Sequence, residues 1–209
     1  MKTTPTLITR EYGPFDDHPR VHGVSFDGHS IWFASGDKLN AIDPVSGELT
    51  HSLGVQADAG TAFDGRYLYQ IADQRILKVD PQTGAVLCTI PTPKGGGAGL
   101  AWGEGSLWIG QHRERKIHRL DPQTGDILST IESNRFVTGV TWVDDELWHA
   151  TWENEQSELR HVDPGTGEVV ASLEMPHGVT VSGLESDGVD GFFCGGGGSG
   201  KIRAVQRTK

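Results

Sequence analysis

Apolar residues along this chain fall in short alternating runs separated by turn residues, and the same order of runs repeats five times. A glycine leads each repeat into a short apolar stretch: Gly23–Phe26, Gly60–Phe63, Gly99–Trp102, Gly139–Trp142 and Gly183–Ser186. A tight turn follows, written Asp27-Gly28 in the first repeat and Asp64-Gly65 in the second. The next strand is aromatic and alternating, as in Ile31–Phe33, Tyr67–Tyr69, Leu107–Ile109, Leu147–His149 and Gly191–Phe193. A third strand then runs into the phrase Asp-Pro-x-Ser/Thr-Gly, and a fourth leaves it.

That phrase stands at Asp43–Gly47, Asp80–Gly84, Asp121–Gly125 and Asp163–Gly167, at spacings of 37, 41 and 42 residues. Proline presets the first turn residue, aspartate bonds the backbone ahead of it, and glycine takes the left-handed exit. The period is that of a four-stranded propeller blade. The fifth repeat stops after its third strand, Lys201–Gln206, with neither phrase nor fourth strand. The segment Thr6–Arg10 resembles a fourth strand, and pairing it with the last blade closes the ring and removes two sheet edges. The expected fold is therefore all-β, a five-bladed propeller of four-stranded blades forming a single domain over residues 1–209. An open solenoid is the rival, but it leaves Thr6–Arg10 without a role.

Composition changes this picture little. Twenty-nine glycines and 22% charged residues suit a turn-rich β protein. A net charge of −10 without a basic stripe argues against a nucleic-acid partner, and no apolar run has the length to span a membrane. The first residues lack an apolar core and cleavage site, so a cytoplasmic location is expected. Cys88 and Cys194 fall at different blade positions, which speaks for reduced thiols.

Candidate chemistry follows from which loops vary. The Asp-Gly and Asp-Pro turns are near-identical from blade to blade and read as scaffold. The segments leading into each first strand, and the loops between second and third strands, differ completely, so one asymmetric site near the axis is expected on that face. His22, His112, His149 and His177 map there, as bases or as ligands of a divalent metal drawn from separate blades. Arg20, Gln70, Gln111, Arg135, Glu153 and His177 are candidates to orient a polar substrate, with Trp152 as a stacking wall. Cys194, beside Gly195–Gly198, is either a thiol facing that substrate or a buried inert one. The position two residues after each leading glycine is Ser25, Ala62, Ala101 and Thr141, but Glu185 in blade five. A carboxylate in a narrow tunnel is either an acid–base group with a raised pKa or a partner of Arg20 or Lys94.

The stretch Val137–Trp148 followed by Ala150-Thr151-Trp152, together with Tyr67–Gln70, Val21–Gly28 and Gly183–Phe193, resembles the glutamine cyclotransferase family, five-bladed propellers that convert N-terminal glutamine to pyroglutamate. The resemblance spans nearly the whole chain and implies acyl-transfer chemistry on a peptide end. The family's Phe-Thr-Gln-Gly reads Arg20-Val21-His22-Gly23 here. Its Tyr-Glu-Ser-Thr-Gly, whose glutamate is implicated in catalysis, reads Trp32-Phe33-Ala34-Ser35-Gly36. The tryptophan-rich second strands also look like those of streptogramin lyases, seven-bladed enzymes that use His and Glu on the same face. The expected function is thus an enzyme acting on a small molecule or peptide end, with Glu185 and His22, His112 or His149 as acid and base. A non-catalytic binding propeller and a metal-dependent lyase or hydrolase are the alternatives.

Overall fold

The computed structural model describes residues 2–207. Two N-terminal strands, β1 (Lys2–Pro5) and β2 (Ile8–Tyr12), precede the first blade. Blade one is β3 (Val24–Phe26), β4 (Ile31–Ala34), β5 (Leu39–Ile42) and β6 (Leu49–Leu53), and blade two is β7 (Thr61–Phe63), β8 (Leu68–Ala72), β9 (Arg75–Val79) and β10 (Val86–Pro91). Blade three is β11 (Gly99–Gly103), β12 (Ser106–Gln111), β13 (Lys116–Leu120) and β14 (Ile127–Glu132). Blade four is β15 (Val137–Val143), β16 (Glu146–Glu153), β17 (Gln156–Val162) and β18 (Val169–Glu174), and β19 (Gly183–Ser186), β20 (Gly191–Gly195) and β21 (Ile202–Gln206) begin blade five. Each blade is an antiparallel meander from the axis outward.

Burial follows position within the blade. Second strands, with neighbouring blades on both faces, are buried along their whole length in blades one, two, three and five. Fourth strands of the first three blades are exposed except for one apolar residue near the end: Leu53, Ile90 and Ile131. Those three residues receive the Asp-Pro turn of the next blade. A Cβ on Gly84 would lie 3.4 Å from Leu53, one on Gly125 3.0 Å from Ile90, and one on Gly167 2.9 Å from Ile131. All three glycines have positive φ, and in every copy the leading aspartate accepts two backbone N–H bonds, as Asp43 Oδ1 does from Val45 (2.8 Å) and Ser46 (2.6 Å). The repeated phrase is therefore a joint between blades, which is why its sequence is constant.

The ring closes one plus three, as the missing fourth strand implies. The closing strand is Ile8–Tyr12, two residues beyond the expected Thr6–Arg10, with Arg10 opposite Ala204 and Tyr12 opposite Ile202. The shift has a physical cause: Tyr12 and Arg10 must reach the blade-one turn, where Tyr12 Oη and Arg10 Nη1 each donate to Pro44 O at 3.0 Å. Tyr12→Phe is expected to cost about 1 kcal/mol, the typical worth of one such hydrogen bond, read as a lower urea midpoint with unchanged m-value. Blade four carries a fifth strand that the repeat pattern does not contain. β1 pairs in parallel with β18, Thr3 opposite Ser172, and so covers an outer edge that the other blades leave open. At the far end of the chain, the buried Arg207 pairs with Asp144 of blade four.

Candidate functional site

The axis is built by the five leading glycines. A Cβ on Gly23 would sit 2.4 Å from Ala59 O, on Gly60 2.4 Å from Leu100 N, and on Gly99 2.7 Å from Gly139 C. On Gly139 it would lie 2.6 Å from Leu184 N, and on Gly183 2.8 Å from Val24 N, which returns the ring to blade one. Backbone meets backbone at every step, so only glycine fits.

On the variable side of this ring lies a cavity of about 270 Å³. Its wall contains the residue immediately before each glycine, namely His22, Ala59, Ala98, Thr138 and Ser182, together with Asp58, Gly97 and His112. A second space of about 340 Å³ shares Asp58, Ala59 and Gly97 with it and runs outward past Asp73 and Gln74. Burial holds the His22 imidazole below its usual pKa, Arg20 pushes it further down and Asp58 opposes them, so the ring is neutral at pH 7. His112 lies flat on Phe136, ring centres 4.8 Å apart. Ser182 Oγ donates to Val21 O (2.5 Å) and accepts from Gly197 N (3.0 Å). Thr138 Oγ1 is buried with no hydrogen-bond partner among the described residues.

Glu185 lies on the deeper side of the glycine ring. Its carboxylate accepts from Thr141 Oγ1 (2.6 Å) and Ser186 N (2.8 Å) through Oε1, and from Ser25 Oγ (3.1 Å) through Oε2. Burial pushes its pKa up to about 7 in spite of these donors. No hydrogen bond or ion pair ties it to Arg20 or Lys94, the cations that the sequence offers as partners.

The other predicted residues go to three places. Gln70, His149 and Cys194 occupy equivalent positions, each opposite the residue after the leading glycine (Thr61, Val140 and Leu184), where side chains face the preceding blade. Gln70 is bonded to Thr61 Oγ1 (2.6 Å), Ala59 O and Ile71 O, and so is structural. Cys194 packs among Trp148, Leu184 and Phe192, where burial pushes its thiol up to about 12, a protonated group with no route to a substrate. Gln111 is also buried and donates to Lys94 O and Gly96 O, shaping the glycine-rich segment rather than facing the cavity.

Arg135, Glu153 and the half-buried Trp152 stand at the joint of blades three and four. Arg135 pairs with Glu158 (2.9 Å), and Glu153 pairs with Arg115 (2.8 Å), so their charges are spent on one another. His177 is exposed, 4.0 Å from Glu155. The four candidate metal-binding histidines therefore separate: His22 and His112 share the axial cavity, His149 is in a blade joint and His177 is on the rim. Among the described residues no three His, Cys, Asp or Glu side chains converge as a metal site. Asp58, Thr138 and Ser182 were not singled out as site residues from sequence. The signal that finds them is position, directly before a leading glycine or one residue earlier.

No protein-family model and no curated protein matches the chain. Among solved structures it is similar to the hydrazine synthase of Kuenenia stuttgartiensis, with 17% identity and a TM-score of 0.55 over 85% of this chain and 56% of that one. It is similar end to end to the glutaminyl cyclase of Myxococcus xanthus, with 17% identity and a TM-score of 0.80 over 98% of this chain and 97% of that one, so the two share one five-bladed fold.

Proposed function

We propose that this protein is an enzyme acting on a small polar molecule or a peptide end held in the axial cavity, with His22 and His112 supplying acid–base chemistry beside Asp58. The observation that carries the reading is that two imidazoles and a carboxylate line one cavity at the centre of the variable face. The glutaminyl cyclase fold supports it, since that enzyme's name states an action on a glutaminyl group. Neutral His22 is in the form that removes a proton, and exposed Asp58 suits a substrate amine. Phe33 stands where the cyclotransferase family has its glutamate and is buried against Phe15, ring centres 4.7 Å apart. The proton transfers therefore fall to the histidines. In a cyclisation, the substrate's α-amine nitrogen bonds to the side-chain amide carbon, His22 takes the amine proton, and the departing nitrogen leaves with a proton as ammonia.

The test is ammonia release from peptides beginning with glutamine, run beside ligand-detected NMR with the same peptides. Turnover is expected, falling about 100-fold in His22→Ala, the size of a typical acid–base contribution. Asp58→Asn is expected to weaken binding about tenfold. Binding that both substitutions weaken, without ammonia release, supports the binding-propeller reading instead. Peptides that neither bind nor react, or turnover indifferent to His22, overturn the proposal.

A further inference from the structure

A second cavity lies away from the axis, in the joint between blades three and four. It holds about 200 Å³, room for roughly six waters at ~30 Å³ each. Its walls are apolar at Ile117, Ile131, Val162 and Val169 and polar at Glu132, Ser133 and Asn134, and two buried nitrogen-bearing side chains also line it. His149 is 1% exposed and Arg160 is 4% exposed.

Every other blade fills or satisfies the place where His149 stands. Ile109 and Phe33 are apolar there, Cys194 packs in apolar surroundings, and Gln70 uses its amide on three partners. His149 alone does neither. Its Nδ1 makes one long contact of 3.4 Å to Ala150 O, and its Nε2 has no partner among the described residues. Arg160 donates through Nε to Glu158 (2.8 Å) and through Nη1 to Asn134 Oδ1 (2.6 Å), while Nη2 has no hydrogen-bond partner among the described residues. Burial, and then Arg160, push His149 down to about 4, so a neutral ring lines the cavity beside a buried cation.

Arg160 is the arginine in the cavity wall and pairs with Glu158 at 2.8 Å, while Glu132, also in the wall, pairs with Lys116 at 3.4 Å. Arg115 and Arg135 stand outside the wall and are partly exposed. His149 Nε2 and Arg160 Nη2 are therefore open to hydrogen bonding with a ligand in this space.

We propose that the blade three–four cavity is a binding site for a small carboxylate with a short apolar tail, its oxygens taken by Arg160 and His149 and its tail lying on Ile131, Val162 and Val169. Nδ1–H points at Ala150 O, so Nε2 donates to a bound carboxylate when the ring takes up a proton, which the charge of that carboxylate favours. The site is independent of the axial cavity and its chemistry.

The probe is butyrate, followed by calorimetry and by NMR of the histidine rings, with butanol as the uncharged control. Butyrate is expected to bind and to shift the His149 ring signal. Affinity should fall at least tenfold in His149→Ile, which installs the residue that blade three carries as Ile109, and in Val169→Phe, which fills the space without touching the nitrogens. Thermal melts on both variants check that the blades remain folded. His22→Ala should leave butyrate binding unchanged. Butyrate that does not bind, that binds equally to both variants, or that loses its site in His22→Ala overturns the proposal. So does butanol binding as tightly as butyrate, which would mark an apolar void.

Discussion

Gly99→Ala is expected to destabilise the protein by about 3 kcal/mol, the upper part of the range for forcing extra atoms into a packed site. The added methyl would lie 2.7 Å from Gly139 Cα, Gly139 C and Val140 N at once. None of these is the end of a flexible side chain, so relief requires blade three to move away from blade four. That movement is not local. The same contact recurs at each of the five steps around the axis, and spreading one step strains the others. Gly54→Ala is the control, since its new methyl meets nothing within 4 Å and the residue is exposed. Urea unfolding of the two variants should separate them, with Gly54 near wild type and Gly99 strongly shifted. Equal midpoints would mean that the axis has slack and that the five glycines are kept for another reason.

The glycine ring also shows what the sequence could disclose. The leading glycine is visible five times, and counting two residues past it locates Glu185 in the channel before any coordinates exist. The blades follow from the turn phrase because each depends on residues near one another in sequence, and the one-plus-three closure follows from the fourth strand that the last repeat lacks. What was hidden depends on geometry between blades. His149 reads as a face residue because it ends an aromatic run, but its pairing with Val140 turns it toward blade three. Cys194 and Gln70 are turned inward by the same register. Lys2–Pro5 has no alternating apolar pattern, and its parallel pairing with β18 joins segments at opposite ends of the chain. The cavity wall before the glycines varies in type from His22 to Ala59 to Thr138, so repetition could not mark it. Only the ring position unites those residues.

Glu185→Gln is expected to make the protein more stable than wild type at pH 8 and about equal to it at pH 5. Burial raises the carboxyl from its ordinary 4.5 to about 7, so between those values the native state keeps a proton that the unfolded chain has released. Stability contributed by this group is therefore full below pH 4.5, falls as pH rises to 7, and is level above that. The whole shift corresponds to about 3 kcal/mol at 1.36 kcal/mol per pH unit, and partial exposure of Glu185 to solvent reduces this to about 2 kcal/mol. Glutamine keeps the shape, accepts from Thr141 and Ser186 as the carboxylate does, and can donate to Ser25 Oγ. His149 has the opposite sign: lowered from 6.5 to about 4, it makes stability rise with pH through that window. His22 and His118, lowered by burial as well, act in the same direction as His149. Removing Glu185 takes away an opposing slope, so stability of the variant should climb more steeply with pH than that of the wild type between pH 4.5 and 6.5. Urea titrations at pH 5, 6.5 and 8 read this directly. A difference between the proteins that does not change with pH would show that Glu185 is ionised in the native state throughout, held by its three donors against the cost of burial.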